Sequence, residues 1–348
     1  MTGEMLAAVM TGVKKIEMQK RPIPVPKDNE VLVKIKHVGL CGSDLHFYEH
    51  GRIGSIVVDR PTVLGHESAG EIVEVGKAVK GLNVGDIVAL EPGVPCGKCE
   101  FCKTGRYNLC PDVAFMAIPG HDGAFTEYVA YPYDMAFKLP EGVGTIEGGL
   151  MEPLAVGFHA ANQSEIRPGK SAAILGSGCI GLVTLTVLKM MGIAEIYVVD
   201  IIEKRLEKAK QLGATKVIKA DVEDTVKTIM ELTDGKGVDV VFETAGSKIT
   251  TQQTVQLVKS GGTITLVGMS AESMVPYDIS ALIWKEAKIT TVFRYRNLYP
   301  TAIKAVAAGL IPLKEVASDY FAFKDVQKAM DYNINNKNDV IKIVIEFE

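Results

Sequence analysis

The sequence predicts an α/β chain in two parts, a β-rich domain and a doubly wound parallel sheet. Three observations carry that reading. From Leu6 to about Lys138, short alternating runs such as Val31 to Lys36 and Glu71 to Val75 are broken by glycines and prolines, as half-buried strands joined by turns require. From about Lys170 the pattern becomes strand and helix in alternation, which builds a parallel sheet covered by helices. The chain has 348 residues, the length of about two domains.

Within the second part, strands are predicted at Ala172 to Leu175, Ile196 to Val199, Val217 to Ile218, Val238 to Phe242 and Thr263 to Val267. Helical stretches such as Lys204 to Leu212, Val222 to Leu232 and Thr250 to Val258 separate them. After about Ile289 the pattern loosens to one apolar helix near Ala302 to Ala308 and a closing strand, Val340 to Ile345. A lone strand needs a partner, so this one is predicted to return to the first domain. The expected boundaries are therefore residues 1–153 and 290–348 for the β-rich domain, with a cysteine lobe at 93–113, and 154–289 for the doubly wound domain.

Composition narrows the function classes. With 38 Lys+Arg against 42 Asp+Glu, a net charge of −4 and 47% apolar residues, neither a disordered acidic chain nor a basic nucleic-acid binder is indicated. The charge-free stretch Ser171 to Leu188 matches a membrane span in length alone. Gly176, Gly178 and Gly181 interrupt it and Lys189 follows, so strand, turn and helix is the better reading and no membrane partner is expected. Glu4, the short apolar run Leu6 to Met10, and Lys14 and Lys15 do not form a signal peptide's pattern. The expectation is a cytoplasmic protein.

Five of the six cysteines fall between Cys41 and Cys110, and four form Cys96-x2-Cys99-x2-Cys102-x7-Cys110. Tetrahedral zinc takes four thiolates, and short CxxC turns bring sulfurs to one ion. A pair of disulfides is the alternative, and a chain without a secretion signal keeps its thiols reduced. The polar residues between, Gly97, Lys98, Lys103, Thr104, Gly105 and Arg106, build no apolar core, so the metal is expected to order the lobe. Four thiolates leave no open position, and this zinc is expected to be structural.

Gly176-Ser-Gly178-Cys-Ile-Gly181 follows a predicted strand and opens a predicted helix. Such glycines let the backbone approach a pyrophosphate, and the helix start offers free amides and a positive dipole end. The next strand ends in Asp200, about 20 residues on, where a carboxylate meets the adenosine ribose hydroxyls of NAD. Asp200 repels a 2′-phosphate and Ile201 and Ile202 offer it no cradle, so NAD is favoured over NADP. Cys179 in this turn reads as a small packing residue.

Cys41-Gly-Ser-Asp-Leu-His46 and Gly65-His66-Glu67 supply a soft, a borderline and a hard zinc ligand. They leave a fourth position for water or substrate, as a catalytic zinc requires. With Glu49-x-Gly-Arg-Ile-Gly54, Val63-Leu-Gly-His-Glu67, the four-cysteine lobe, Glu152-Pro-Leu, the glycine loop and Val292-Phe-Arg-Tyr295, the sequence resembles the zinc-dependent medium-chain dehydrogenases nearly end to end. Within them it is similar to the sorbitol (polyol, or L-iditol) dehydrogenases, to which Gly51-Arg-Ile-Gly54 and Phe293-Arg-Tyr295 point most narrowly.

The resemblance implies a GroES-like fold for the β-rich catalytic domain and a Rossmann fold for the coenzyme domain. It implies two zincs per subunit, a homotetramer, and oxidation of a polyol to a ketose or the reverse. Cys41, His66 and Glu67 are implied at the catalytic zinc, with Glu152 binding it directly or holding its water. Only Cys41 is left over for that zinc once the lobe and the nucleotide loop have taken theirs, which fits a carboxylate-containing site. Ser43 and His46 match the family's proton relay. Beside the glycine loop and Asp200, the family pattern places Ile180, Arg205, Val267, Met269, Val292 and Arg294 at the cofactor. It places Phe47, Ile53, Phe115, Ile118, Arg294 and Tyr295 near substrate. Phe47 stands where sorbitol dehydrogenases commonly have Tyr, and Ile118 where some have Thr. Each lost hydroxyl removes roughly 0.5–1.5 kcal/mol of hydrogen bonding, which leaves sorbitol, xylitol, iditol, galactitol and shorter diols open. The rival readings are a butanediol or threonine dehydrogenase of the same family, and a catalytically retired nucleotide binder, which usually loses its metal ligands first.

Overall fold

The structure is a computed structural model that describes residues 3–270, 272 and 274–348. The chain divides into two compact units: one runs through Glu152 and takes up again at Tyr299–Gly309 and Leu313–Glu348, the other is Pro153–Leu298 with Leu310–Pro312.

The first unit is built on a seven-stranded sheet. Its strands lie in the order Ala136–Lys138, Ile87–Leu90, Glu67–Val75, Glu30–Gly39, Ile343–Glu346 and Asp319–Ala322, and Tyr128–Pro132 also pairs with Glu30–Gly39. The central strand Glu30–Gly39 buries Val31, Leu32, Val33, Ile35 and Val38 completely. Two register shifts against Glu67–Val75, between Leu32 and Val33 and between Ile35 and His37, bend it. Its other edge is shared, Tyr128–Pro132 covering Glu30 to Lys34 and Ile343–Glu346 covering His37 to Gly39. The closing run is a strand only from Ile343, and the residue just before it, Lys342, is buried. A second sheet of Glu4–Gly12, Lys15–Pro22 and Thr62–Val63 contributes Ala7, Val9 and Val63 to the same core.

The short segment after Gly39 gives little helical signal in the sequence, yet Gly42–His50 is an α-helix. Cys41 is its N-cap residue, Asp44 at the third helical position turns back to the Cys41 amide, and Gly51 ends it with φ 69°. That is the logic of a capping box and a left-handed C-terminal glycine.

The second unit carries six parallel strands in the order Lys216–Lys219, Glu195–Asp200, Ser171–Leu175, Val238–Glu243, Val258–Leu266, Lys288–Thr291. Numbered along the chain this is 3-2-1-4-5-6, the doubly wound dinucleotide order. Ala173, Leu175, Val199, Val241 and Ile264 form its core. The sixth strand, Lys-Ile-Thr-Thr, is absent from the sequence reading because an edge strand buries no apolar run. The fifth starts earlier than predicted, since Ser260, Gly261 and Gly262 imitate a turn within it. Ser171–Leu175 and Cys179–Met190 divide the charge-free stretch into strand and helix. Among the described residues no helix is long and apolar enough to cross a membrane.

Candidate active site

Three strand ends of the first unit converge. Gly39 pairs with Glu67 on one side and with Val344 on the other, and the Leu40 amide donates to the Ile343 carbonyl at 2.9 Å. Cys41, His66 and Lys342 therefore leave neighbouring strand ends beside Glu67. One ligand atom each of Cys41, His66 and Glu67 lies within 4.8 Å of the others. A Cβ on Gly39 would stand 2.0 Å from Glu67 Oε2, so only glycine leaves that carboxylate its place.

The donors fit a metal by the chemistry of the set. His66 and Glu67 are 5% and 1% exposed, and with Cys41 they bring a sulfur, a ring nitrogen and a carboxylate oxygen within 4.8 Å of one another. A cation that accepts sulfur, nitrogen and oxygen at one centre fits there, and zinc takes that mixture.

Two residues outside the predicted site hold it together. Asp44, 1% exposed, accepts the Cys41 amide at Oδ2 (3.1 Å) and the Gly65 amide at Oδ1 (3.0 Å). The same Oδ1 lies 3.4 Å from His66 Nδ1, where the orienting partner of a metal-binding imidazole belongs. Burial works to lower the His66 pKa, but the Asp44 carboxylate and the Cys41 sulfur together hold it well above its ordinary value. Lys342 sits astride the Glu67 carboxylate, 2.6 Å from Oε1 and 2.5 Å from Oε2, and donates also to the Leu40 carbonyl at 3.1 Å. The Cys41-x-x-Asp44 capping spacing and a lone lysine in the apolar run Val340 to Ile345 were the sequence signals for this pair.

Glu152, buried in the first turn of the helix Met151–Ser164, does not join the three-donor cluster. It acts on Glu91, another buried carboxyl. Burial, abetted by the Glu152 charge and opposed by the Tyr107 hydroxyl, pushes Glu91 up to about 7. Tyr107 Oη donates to Glu91 Oε1 at 2.6 Å and Tyr131 Oη to the Glu91 carbonyl at 2.7 Å. Ser43 and His46 lie on the helix after Cys41, His46 exposed and 5.0 Å from His50 ring to ring. Phe115 packs at 5.6 Å from the His66 ring. Ile53 packs partly buried against the core, and Phe47 is inside it. Ile118 is half-buried next to the loop turn it forms with His121.

Tyr107 belongs to the cysteine lobe. All six cysteines are free, and the four lobe sulfurs lie within 4.8 Å of one another. Cys99 and Cys102 are 3.4 Å apart, Cys96 and Cys102 4.0 Å. A disulfide needs about 2.05 Å, whereas four sulfurs about 2.3 Å from a tetrahedral zinc stand about 3.8 Å apart. Amides of Lys98 and Cys99 lower Cys96 to about 7, which prepares it to bind as thiolate.

In the second unit, the turn after Ser171–Leu175 has the expected form. Gly176 has φ 103°, and a Cβ on Gly181 would be 2.0 Å from the Gly176 carbonyl oxygen. Gly178 is the N-cap of Cys179–Met190, with Ile180 in its first turn. Asp200 ends its strand with both oxygens engaged: Oδ2 accepts the Ser177 amide (2.6 Å) and hydroxyl (2.9 Å), and Oδ1 accepts the Ile201 and Ile202 amides (2.8 and 3.0 Å). Arg205 lies in the following helix, Glu203–Gln211. Val267 and Val292 follow the fifth and sixth strands, Val267 bonding to Glu243 and Val292 to Leu266, and Met269 is 76% exposed. Arg294 has φ 54° with its guanidinium 4.7 Å from the Phe293 ring centre, and Tyr295 is buried.

Comparison with known proteins agrees with this construction. The alcohol dehydrogenase GroES-like domain family matches residues 27–141 and the zinc-binding dehydrogenase family residues 179–308. Sorbitol dehydrogenase of Bacillus subtilis is 42% identical over 98% of this chain and 97% of its own. A probable D-xylulose reductase A of Arthroderma otae is 39% identical over 94% and 93%. The crystal structure of an Escherichia coli oxidoreductase/dehydrogenase of unknown specificity, 44% identical, superposes with a TM-score of 0.96 over 99% of this chain and all of that one. The chain belongs to the zinc-dependent medium-chain dehydrogenases, in their polyol dehydrogenase branch, and is an oxidoreductase.

Proposed function

We propose that the protein oxidises a secondary alcohol of a polyol to a ketose with NAD, and reduces the ketose in the reverse direction. The observation that carries this is the meeting of the half-buried Cys41 with the buried His66 and Glu67 at one point. Three unlike donors are the set of a catalytic zinc, whereas the four-sulfur lobe is the set of a structural one. Bound there, zinc acidifies an alcohol hydroxyl by Lewis-acid polarisation, and NAD is the hydride acceptor.

The chain's own residues do the rest. Asp44 fixes the His66 ring, as an outer partner of a metal ligand does. Glu152, standing apart from the three donors, orients the reacting hydroxyl by a hydrogen bond rather than binding the metal. Ser43 takes the alcohol proton as it releases its own hydroxyl proton toward the exposed His46, which passes it to solvent. Phe115 keeps water from the His66 side. The amides at the start of Cys179–Met190 hold the cofactor's pyrophosphate. Asp200 accepts the ribose hydroxyls as the Ser177 hydroxyl rotates away, since its carboxylate has only about four acceptor sites and all four are taken. Ile180, Arg205, Val267, Met269, Val292 and Arg294 border the cofactor, and Ile53, Phe115 and Ile118 the substrate.

The sorbitol dehydrogenase relative and the Gly51–Gly54 and Phe293–Tyr295 segments support a polyol, while Phe47 and Ile118 supply no hydroxyl for a long one. The exposed Ile283 and Trp284, beside the edge strand Lys288–Thr291, support a homotetramer, and six free cysteines support a reducing, cytoplasmic setting. The test is turnover on sorbitol, xylitol, iditol, galactitol, 2,3-butanediol and threonine with NAD and NADP, alongside metal analysis. The reading expects two zincs per chain, NAD-dependent ketose formation, and loss of one zinc and all turnover in Cys41→Ser. Turnover confined to butanediol or threonine refutes the polyol assignment.

A further inference from the structure

Glu67 faces two cations, the metal its neighbours await and Lys342, and cannot give its full charge to both. Lys342 is 4% exposed, an ammonium withdrawn from bulk solvent. Its hydrogen bonds go to Glu67 Oε1 and the Leu40 carbonyl, two points on the strand ends that frame the metal cluster. Its Nζ also lies 2.5 Å from Oε2, so the ammonium meets both carboxylate oxygens. A buried lysine is stable in this position only beside a carboxylate, so the pair is a built feature of the site.

We propose that Lys342 is a positioning residue that shares the charge of Glu67: its ammonium stands against both carboxylate oxygens, so the lysine weakens the metal's hold on this ligand. A ligand held loosely can yield its place when the substrate hydroxyl arrives, whereas a carboxylate with no second cation would clamp the metal. The inference rests on the catalytic zinc being bound by Cys41, His66 and Glu67.

Removing the lysine acts in one direction through two routes. It raises the negative charge around the zinc, and it leaves a buried carboxylate whose remaining cation is the metal, so the metal-free state is penalised more than the loaded one. Zinc-loaded full-length wild type, Lys342→Met, Lys342→Arg, Glu67→Gln and the double variant Glu67→Gln/Lys342→Met are compared by zinc content, by the rate at which a chelator removes the first zinc, and by the visible spectrum after cobalt(II) replaces it. Lys342→Met is expected to lose that zinc about 10-fold more slowly, the scale of close charge-pair couplings, and to show an altered cobalt band. Lys342→Arg, which keeps the charge, is expected to stay near wild type. In the Glu67→Gln background the lysine substitution is expected to change neither readout, which a merely structural lysine would not satisfy.

Unchanged or faster zinc loss in Lys342→Met, or the same effect in the absence of the Glu67 charge, overturns the proposal. Should Lys342→Met fail to fold, Lys342→Gln carries the same expectation and the same refutation. If instead Cys41→Ser still binds two zincs, the catalytic-site reading itself falls, an outcome separate from any of these.

Discussion

Replacing Asp44 by asparagine tests how the site is held. The substitution keeps size and shape but turns one acceptor oxygen into a donor. In the structure both oxygens are in use, Oδ2 by the Cys41 amide and Oδ1 by the Gly65 amide with His66 Nδ1 at 3.4 Å. Whichever way the new amide turns, one backbone N–H faces another N–H in a residue that is 1% exposed. Leaving one buried donor unsatisfied costs about 1–3 kcal/mol. The surviving bond also loses its charge assistance, and His66 loses the carboxylate that would orient it on the metal, a change that typically costs about 10–100-fold in metal affinity. Asp44→Asn is therefore expected to unfold at lower urea and to release one zinc to a chelator about 10-fold faster or more, with the lobe zinc retained. Both are measured on one preparation, by circular dichroism in urea and by a colorimetric zinc indicator. Stability within about 0.5 kcal/mol of wild type, together with unchanged zinc release, would refute the assignment of Asp44 as the keystone between Cys41, Gly65 and His66.

Glu91 predicts a pH dependence. Its folded pKa is raised by burial from 4.5 to about 7, so the protonated form is the one the native state favours. Its contribution is fully present below about 4.5 and is lost as pH rises through about 7, amounting to about 3 kcal/mol at 1.36 kcal/mol per unit. Glu91→Gln, still able to accept from Tyr107, is expected to gain stability over wild type on the alkaline side of that window and little on the acid side; equal shifts on both sides would refute it. In the lobe, Cys102→Ser is expected to leave one zinc per chain and to open the exposed Lys98 and Lys103 to rapid tryptic cleavage, because no apolar core replaces the metal. Two retained zincs or unchanged resistance to trypsin would show that the lobe does not depend on its metal.

The parts of the site that the sequence announces are those whose chemistry lies in the residue type. Cys41, His66 and the four lobe cysteines are rare residues at metal-ligand spacing, and Gly176, Gly178 and Gly181 mark a turn that side chains would block. The doubly wound sheet was legible because its central strands carry apolar runs such as Ala172 to Leu175 and Ile196 to Val199, while the exposed edge strand Lys288–Thr291 has no such run. Elements held by partners remote in sequence were not legible. Lys342 and Glu67 lie 275 residues apart, and nothing in Ile-Lys-Ile names the carboxylate that the lysine will meet.

Asp44 and Glu91 show the same limit from the other side. Asp44 carries a visible local signal, the capping spacing after Cys41, but its second bond goes to Gly65 on another strand end. Glu91 follows a buried strand and is met by Tyr107, a residue the lobe positions. Its raised pKa arises because folding takes that carboxyl out of water, with the Glu152 charge adding to the effect. The metal ligands are thus written in motifs, whereas the residues that set their charge and orientation are written in the register of three strands. Gly39 joins the two kinds of information. It opens the segment Gly39-Leu-Cys-Gly-Ser-Asp-Leu-His46 that carries the family resemblance, yet only the fold shows that its missing side chain allows Glu67 to lie between Lys342 and the centre it shares with Cys41 and His66.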